Sequence, residues 1–272
     1  MRDIDVKGVR KLAVLLPKWL LPDPKKQGEI ILKTIHGIQL HINPTIDNGV
    51  ELCLFQTGTY EKGILNFIEK RYTGKGSFVD VGANIGLMSI FTADKFPKAK
   101  VIAIEAHPKT MELLERNRIM NTLTNVETLE VALGNESGEV TIYDNWQVNR
   151  GGASLVVKTE NSDAHKVQMK RLDDLDIDAP EMIKIDVEGV ELEVLKGGAE
   201  TIRKHQPILI VEISDWRENK HDSSAELVEF IKTLGAYRIY KLSGGKERKS
   251  RLVEVMSTDD LPAHDNIICI VK

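Results

Sequence analysis

Four acidic residues, Asp80, Glu105, Asp186 and Glu212, each close a short apolar run: SFVD, VIAIE, MIKID and PILIVE. Apolar runs of this length, bounded by turn residues, read as buried strands. Adjacent parallel strands deliver their terminal residues to one rim of a sheet, which is where open α/β sheets bind ligands. Carboxylates gathered there can hold a cation, accept hydrogen bonds from hydroxyls, or take a proton from an acceptor group. Asp186 is followed by Glu188, Gly189 and Glu191 at the turn into the next helical pattern. Asp186, Glu188 and Glu212 are therefore the candidate catalytic acids.

The loop after Asp80 narrows the ligand. A dinucleotide fingerprint starting at Gly82 needs glycines at positions 84 and 87, but Asn84 and Leu87 stand there. What remains is Asp80-x-Gly82-x-Asn84-x-Gly86, a carboxylate ahead of a tight loop with no cradle for a pyrophosphate. Gly82 and Gly86 let the backbone turn tightly and leave room for a ligand. The expected ligand carries a cation and no phosphate, and S-adenosylmethionine, with its ammonium, sulfonium and ribose, fits. Glu105 lies 19 residues past Gly86, the usual distance for an acid that binds ribose hydroxyls. Ala132-Leu133-Gly134 reads as a turn after a third strand at 126–131, where an adenine would lie.

These residues need a parallel sheet with helices between its strands. At 272 residues the chain is long enough for one such α/β domain with an N-terminal extension. Lys and Arg number 37 against 41 Asp and Glu, so nothing in the totals points to broad nucleic-acid binding, and a local basic patch stays open. Cys53 and Cys269 lie far apart in apolar segments without metal-ligand spacing, and read as reduced thiols of a cytoplasmic protein. No apolar run approaches a membrane span.

Residues 1–26 combine seven basic residues with apolar positions at Val9, Leu12, Leu16 and Leu20, which share one helical face. This basic amphipathic helix packs on the domain or, on the sharper reading, touches a membrane surface or a partner. Residues 28–43 read as a hairpin about His36-Gly37 with His36 and His41 facing solvent. Together these form an extension over residues 1–57, ahead of a ligand-binding domain over 58–272. Residues 58–72 read as a helix leading into the glycine loop, which brings Tyr60 and Glu61 to the cleft. A helix starts at Pro108, and an added strand spans 139–144. The loop at 145–157, with Arg150, Gly151, Gly152 and Ser154, is long enough to cover a substrate. A helix from Ala225, a strand at 236–242, a Gly- and Lys-rich hairpin loop at 243–249 and a last strand complete the chain.

FVDVGANIG, EAHP, VALGNESGEV, GGASL, RLDDL and IKIDVEGVELEVLKGG together resemble the FkbM-type methyltransferases, over roughly residues 28–215. The resemblance implies the class I methyltransferase Rossmann-like fold: a seven-stranded, mostly parallel sheet with helices on both faces and an antiparallel strand near the end. It implies S-adenosylmethionine as cofactor, bound by Asp80, Gly82, Asn84 and Gly86, with Glu105 on the ribose and Ala106 and Ala132 beside the adenine. The family usually has proline where this chain has Ala106. Tyr60 and Glu61 match its G-x-Y-E segment, and Asp186, Glu188, Gly189 and Glu191 its D-x-E-G-x-E signature. It also implies O-methylation of a hydroxyl on a sugar, glycolipid or secondary metabolite, with no nucleic-acid partner. The rivals are a methyltransferase of protein or RNA, and a silent cofactor-fold binding protein. A divalent metal on Asp186 and Glu212 is the alternative to direct carboxylate chemistry. The metal-free route is preferred because no acid adjoins Glu212 to complete a cage.

Overall fold

The computed structural model describes residues 23–144, 163–214 and 223–272. The basic helix and the loop residues Arg150, Gly151, Gly152 and Ser154 lie outside the described residues. The chain forms β1 (Ile30–Lys33), β2 (Gln39–Ile42), α1 (Val50–Thr57), α2 (Lys62–Arg71), β3 (Ser77–Val81), α3 (Leu87–Lys95), β4 (Val101–Ile104) and α4 (Pro108–Met120). Four strands follow: β5 (Val126–Leu129), β6 (Ala132–Leu133), β7 (Gly138–Tyr143) and β8 (Ala164–Lys170). The last part holds β9 (Pro180–Ile185), α5 (Glu191–Gly197), α6 (Ala199–His205), β10 (Ile208–Ser214), α7 (Ser224–Leu234), β11 (Tyr237–Leu242), β12 (Leu252–Glu254) and β13 (His264–Val271).

The main sheet has the order β12-β11-β13-β10-β9-β3-β4-β5. Strands β5, β4, β3, β9 and β10 run parallel, and β13 lies antiparallel to both its neighbours. The class I methyltransferase arrangement is therefore present with eight strands where seven were expected. The eighth, β12, exists because the 243–251 loop folds the chain back onto β11 for three residue pairs. The chain builds outward from β3 through β4 and β5, then returns to β3's other side with β9 and β10. The switch point between these two directions is where such sheets open a cleft.

Strand residues alternate between two cores, as period-two geometry requires. Phe78, Ala103, Met182 and Ile210 face α2, α3 and α4, where Ile64, Ile68, Ile90, Phe91 and Leu114 cover them. Val79, Val81, Ile102, Ile183, Ile185 and Val211 face α5, α6 and α7, where Leu195, Ile202, Leu227 and Ile231 cover them. Burying each such side chain contributes about 1.5–3 kcal/mol, so both faces are anchored. The parity has a consequence for chemistry. Asp80 continues the row of Phe78, Lys184 that of Met182, and Glu212 that of Ile210, so all three project toward the α2–α3 side. Asp80 and Lys184 are paired in register across β3 and β9.

Two expectations are revised, and one helix is new. Ala132-Leu133 is not a turn but the strand β6, paired parallel to β8, which with antiparallel β7 makes a small second sheet. His36 is half-buried, donating to or accepting from Thr59 at 2.8 Å and meeting Phe91 edge to face. Helix α1 was not foreseen, because VELCLFQT lacks a clear polar face. The β1–β2 hairpin docks through its backbone: Asn121 Oδ1 accepts from Gln39 N and Asn117 Oδ1 from His41 N. Leu40, Ile42 and Leu54 join the core around Phe91.

Candidate functional site

The loop after β3 is held by its own backbone. The N–H groups of Gly82 and Ala83 both donate to Ile104 O at 2.9 Å, Asn84 N donates to Glu105 Oε2 at 2.8 Å, and Gly86 N to Ala83 O at 2.9 Å. These four donors are spent inside the protein. Gly82 and Gly86 adopt φ of +78° and +89°, the conformation that favours glycine. The space saved by their missing Cβ goes to protein: at Gly82 a Cβ would collide with the carbonyl oxygen of Asp186, and at Gly86 it would lie 3.1 Å from Ile90 and Leu114 side-chain atoms.

A cleft, partly open to solvent, runs along this rim. It is lined by Tyr60, Glu61, Asp80, Gly82, Asn84, Glu105, Ala106, Ala132, Asp186, Glu188 and Glu212. Of the positions singled out in the sequence for the site, Gly86, Gly189, Glu191 and the four loop residues outside the described segments are not in that lining.

At one end Glu105 accepts from two backbone N–H groups, Asn84 on Oε2 and His107 on Oε1 at 2.9 Å. Burial pushes its carboxyl up to about 7, against the pull of those two hydrogen bonds. Asp80 is buried, and Ser89 Oγ donates to its Oδ2 at 2.6 Å. Its other oxygen, Oδ1, and Asn84 Oδ1 are buried with no hydrogen-bond partner among the described residues. Burial raises the Asp80 carboxyl, and the Lys184 ammonium opposes that rise.

At the other end, carboxylates and lysines alternate. Lys184 Nζ donates to Asp186 Oδ2 at 2.8 Å. Lys246 Nζ, from the loop between β11 and β12, donates to Glu212 Oε1 at 2.6 Å and lies 3.0 Å from Glu61 Oε1. Glu61 also accepts from Asn266 Nδ2 at 3.2 Å. Burial alone would lower both lysines, but the carboxylates around them reverse that and raise them. For Asp186, burial raises the carboxyl and the Lys184 and Lys246 ammonium groups more than reverse it, to about 2. Glu212 goes the other way, raised by burial and by the charge of Asp186. Glu191 closes the turn after β9, its Oε1 accepting from Val187 N at 3.3 Å and Gly189 N at 3.0 Å. That turn holds Glu188 at φ +60° and Gly189 at φ +110°.

Sequence reasoning missed both lysines. Lys184 had a signal: a lone lysine in a buried strand, two residues before an acid, must share that acid's face. Lys246 had none, since GGKERK reads as a solvated loop. Glu61 was expected at the cleft and lines it, with its Oε1 engaged by Lys246 and Asn266.

Residues 80–239 match the family model of the methyltransferase FkbM domain. The chain is 30% identical to Methyltransferase sdnD of Sordaria araneosa, with 44% of this chain and 59% of that protein covered. It is 31% identical to the hexuronic acid methyltransferase AglP of Haloferax volcanii, with 49% of this chain and 54% of that protein covered. The chain thus spans less than two thirds of the length of these relatives. Among solved structures, methyltransferase FkbM from Methylobacillus flagellatus KT is similar at 19% identity and a TM-score of 0.49, over 73% of this chain and 44% of that one. No helix among the described residues is long and apolar enough to cross a membrane.

Proposed function

The chain belongs to the FkbM methyltransferase family, and from that premise we propose that it transfers the methyl group of S-adenosylmethionine to a hydroxyl of a sugar or related small metabolite. The observation that carries this reading is a pair of buried acceptor oxygens, Asp80 Oδ1 and Asn84 Oδ1, without a donor among the described residues, on two residues that line the cleft. A buried acceptor left unmatched costs about 1–3 kcal/mol, and a ligand bearing an ammonium and hydroxyls offsets that cost.

In this proposal Asp80 and Asn84 receive the donors of the cofactor, Glu105 receives its ribose hydroxyls, and Ala106 and Ala132 leave flat, apolar room for its base. When bound, S-adenosylmethionine supplies an electrophilic methyl group on a sulfonium. Tyr60 and the acid–lysine cluster form the wall that holds the acceptor. Alignment contributes most, since effective molarities of ~10⁵–10⁸ M are available from fixed attack geometry. Asp186, whose side chain is 20% exposed against 5% for Glu212, is the carboxylate within reach of an acceptor hydroxyl. The proton goes to the Asp186–Glu212 pair, which titrates as one unit, because repulsion lifts the proton affinity on the Glu212 side. Lys184 and Lys246 supply in this cluster the positive charge that a divalent ion supplies elsewhere, which supports the metal-free route. The hexuronic acid methyltransferase of Haloferax volcanii supports a sugar hydroxyl as acceptor.

The test is incubation of the protein with methyl-labelled S-adenosylmethionine and fractionated metabolites, free hexuronic acids and their glycosides among them. Label in a sugar ether supports the reading. Label found only in protein or RNA overturns the acceptor class.

A further inference from the structure

Away from the acid–lysine cluster, three side chains from three elements converge on one point. His107 precedes α4, Asp144 follows β7, and His165 lies in β8. Both imidazole Nε2 atoms lie 2.6 Å from Asp144 Oδ1. One potential ligand atom from each residue falls within 4.8 Å of the other two. The rings meet edge to face with centroids 4.7 Å apart, and the side chains of His107, Asp144 and His165 are 2%, 4% and 20% exposed. The other carboxylate oxygen, Oδ2, is taken by Lys109 Nζ at 3.0 Å.

We infer that His107, Asp144 and His165 bind a divalent transition metal of the zinc type through two imidazole nitrogens and one carboxylate oxygen. Two imidazoles with one carboxylate make a three-ligand set that leaves a fourth position for water. Imidazole nitrogen selects zinc, iron, nickel or copper over magnesium and calcium. Lys109 on Oδ2 acts from outside the ligand set, leaving Oδ1 as the ligating oxygen and fixing the carboxylate's orientation. The second cluster with metal-like spacing among the described residues, Glu61, Asp186 and Glu212, already holds two ammonium groups, so charge selects the histidine site.

The position gives the ion a task. His107 N–H donates to Glu105 Oε1, so an ion on His107 braces the Glu105 end of the cleft against the β7–β8 sheet. Asp144 and His165 are not among the residues lining the cleft. The inference does not depend on the methyl-transfer reading.

Titration of the chelator-stripped, dialysed full chain with Co²⁺, followed by its visible spectrum, then by Zn²⁺ in competition, tests it. One Co²⁺ per chain, displaced by Zn²⁺, is expected. His165→Ala and Asp144→Asn, checked for folding by circular dichroism, should each weaken binding by at least about a hundredfold. Imidazole nitrogen NMR on the unmodified protein gives a readout that needs no variant: two of the seven histidines shift on Zn²⁺ addition. Absence of stoichiometric uptake, uptake unchanged in both variants, uptake lost only in Glu212→Gln, or unshifted histidine resonances would each overturn the inference.

Discussion

Lys246 Nζ donates to Glu212 Oε1 at 2.6 Å and lies 3.0 Å from Glu61 Oε1, tying a hairpin loop, a central strand and the start of α2 into one buried charge cluster. Glu61 itself sits at φ +46°, a conformation uncommon for a residue with a Cβ, and it is 1% exposed. The lysine and its two acids hold that turn in place.

Replacing Lys246 with methionine leaves two buried carboxylates without their cation. Breaking a buried pair from one side costs about 3–5 kcal/mol, and the chemical denaturation midpoint should fall accordingly. The same change removes the charge that restrains the Glu212 carboxyl, so the pH profile of turnover should move to higher pH. A variant with wild-type stability and an unmoved profile contradicts this role.

Much of the frame was readable from sequence because it rests on local patterns. Strands β3, β4, β9 and β10 are mostly apolar runs, and the acids Asp80, Glu105, Asp186 and Glu212 fall on one rim because parallel strands deliver their ends to the same side. The partners of those acids were not readable in the same way. Lys246 reaches Glu212 across 34 residues, and nothing local distinguishes it from Lys249 in the same loop. The His107–Asp144–His165 cluster joins residues 37 and 21 positions apart through a small sheet, β6-β8-β7, whose first strand looked like a turn. Glycine loops were legible in conformation but not in purpose: the positive φ was expected, whereas the space at Gly82 belongs to the Asp186 backbone.

That difference between glycines can be measured. Gly82→Ala combines a positive φ with a collision against a backbone carbonyl, which cannot rotate away. Strain and overpacking together should cost roughly 2–6 kcal/mol. Gly86→Ala meets only side-chain atoms of Ile90 and Leu114 at 3.1 Å, and should cost roughly 1–3 kcal/mol. Equal losses in urea denaturation would argue against the packing account.

Glu105 gives a pH dependence. Its carboxyl is raised to about 7 by burial, so its contribution to fold stability is full below about 4.5 and is lost as pH rises through about 7. Ligand hydroxyls favour the ionised form, so cofactor binding follows the opposite course. Affinity for S-adenosylmethionine should weaken roughly thirtyfold from pH 8 to pH 5.5. Glu105→Gln should flatten that dependence, and a wild-type affinity independent of pH would count against the assignment.

Asp186→Asn removes the carboxylate that reaches the acceptor. Methyl transfer at saturating cofactor should fall by ~10²–10⁴-fold, with cofactor affinity little changed. Wild-type transfer should be indifferent to added Mg²⁺, since Lys184 and Lys246 already bring two positive charges to the cluster. Full activity in the variant removes Asp186 from the chemistry, and stimulation by Mg²⁺ removes the metal-free route.

Calorimetric titration of the purified chain with S-adenosylmethionine, in parallel with NADH, tests the central claim most directly because it needs no acceptor. The account requires one S-adenosylmethionine bound per chain, no NADH bound, and a loss of about 1–3 kcal/mol in Glu105→Ala. Binding of NADH without S-adenosylmethionine, or S-adenosylmethionine affinity unchanged in Glu105→Ala, would contradict it.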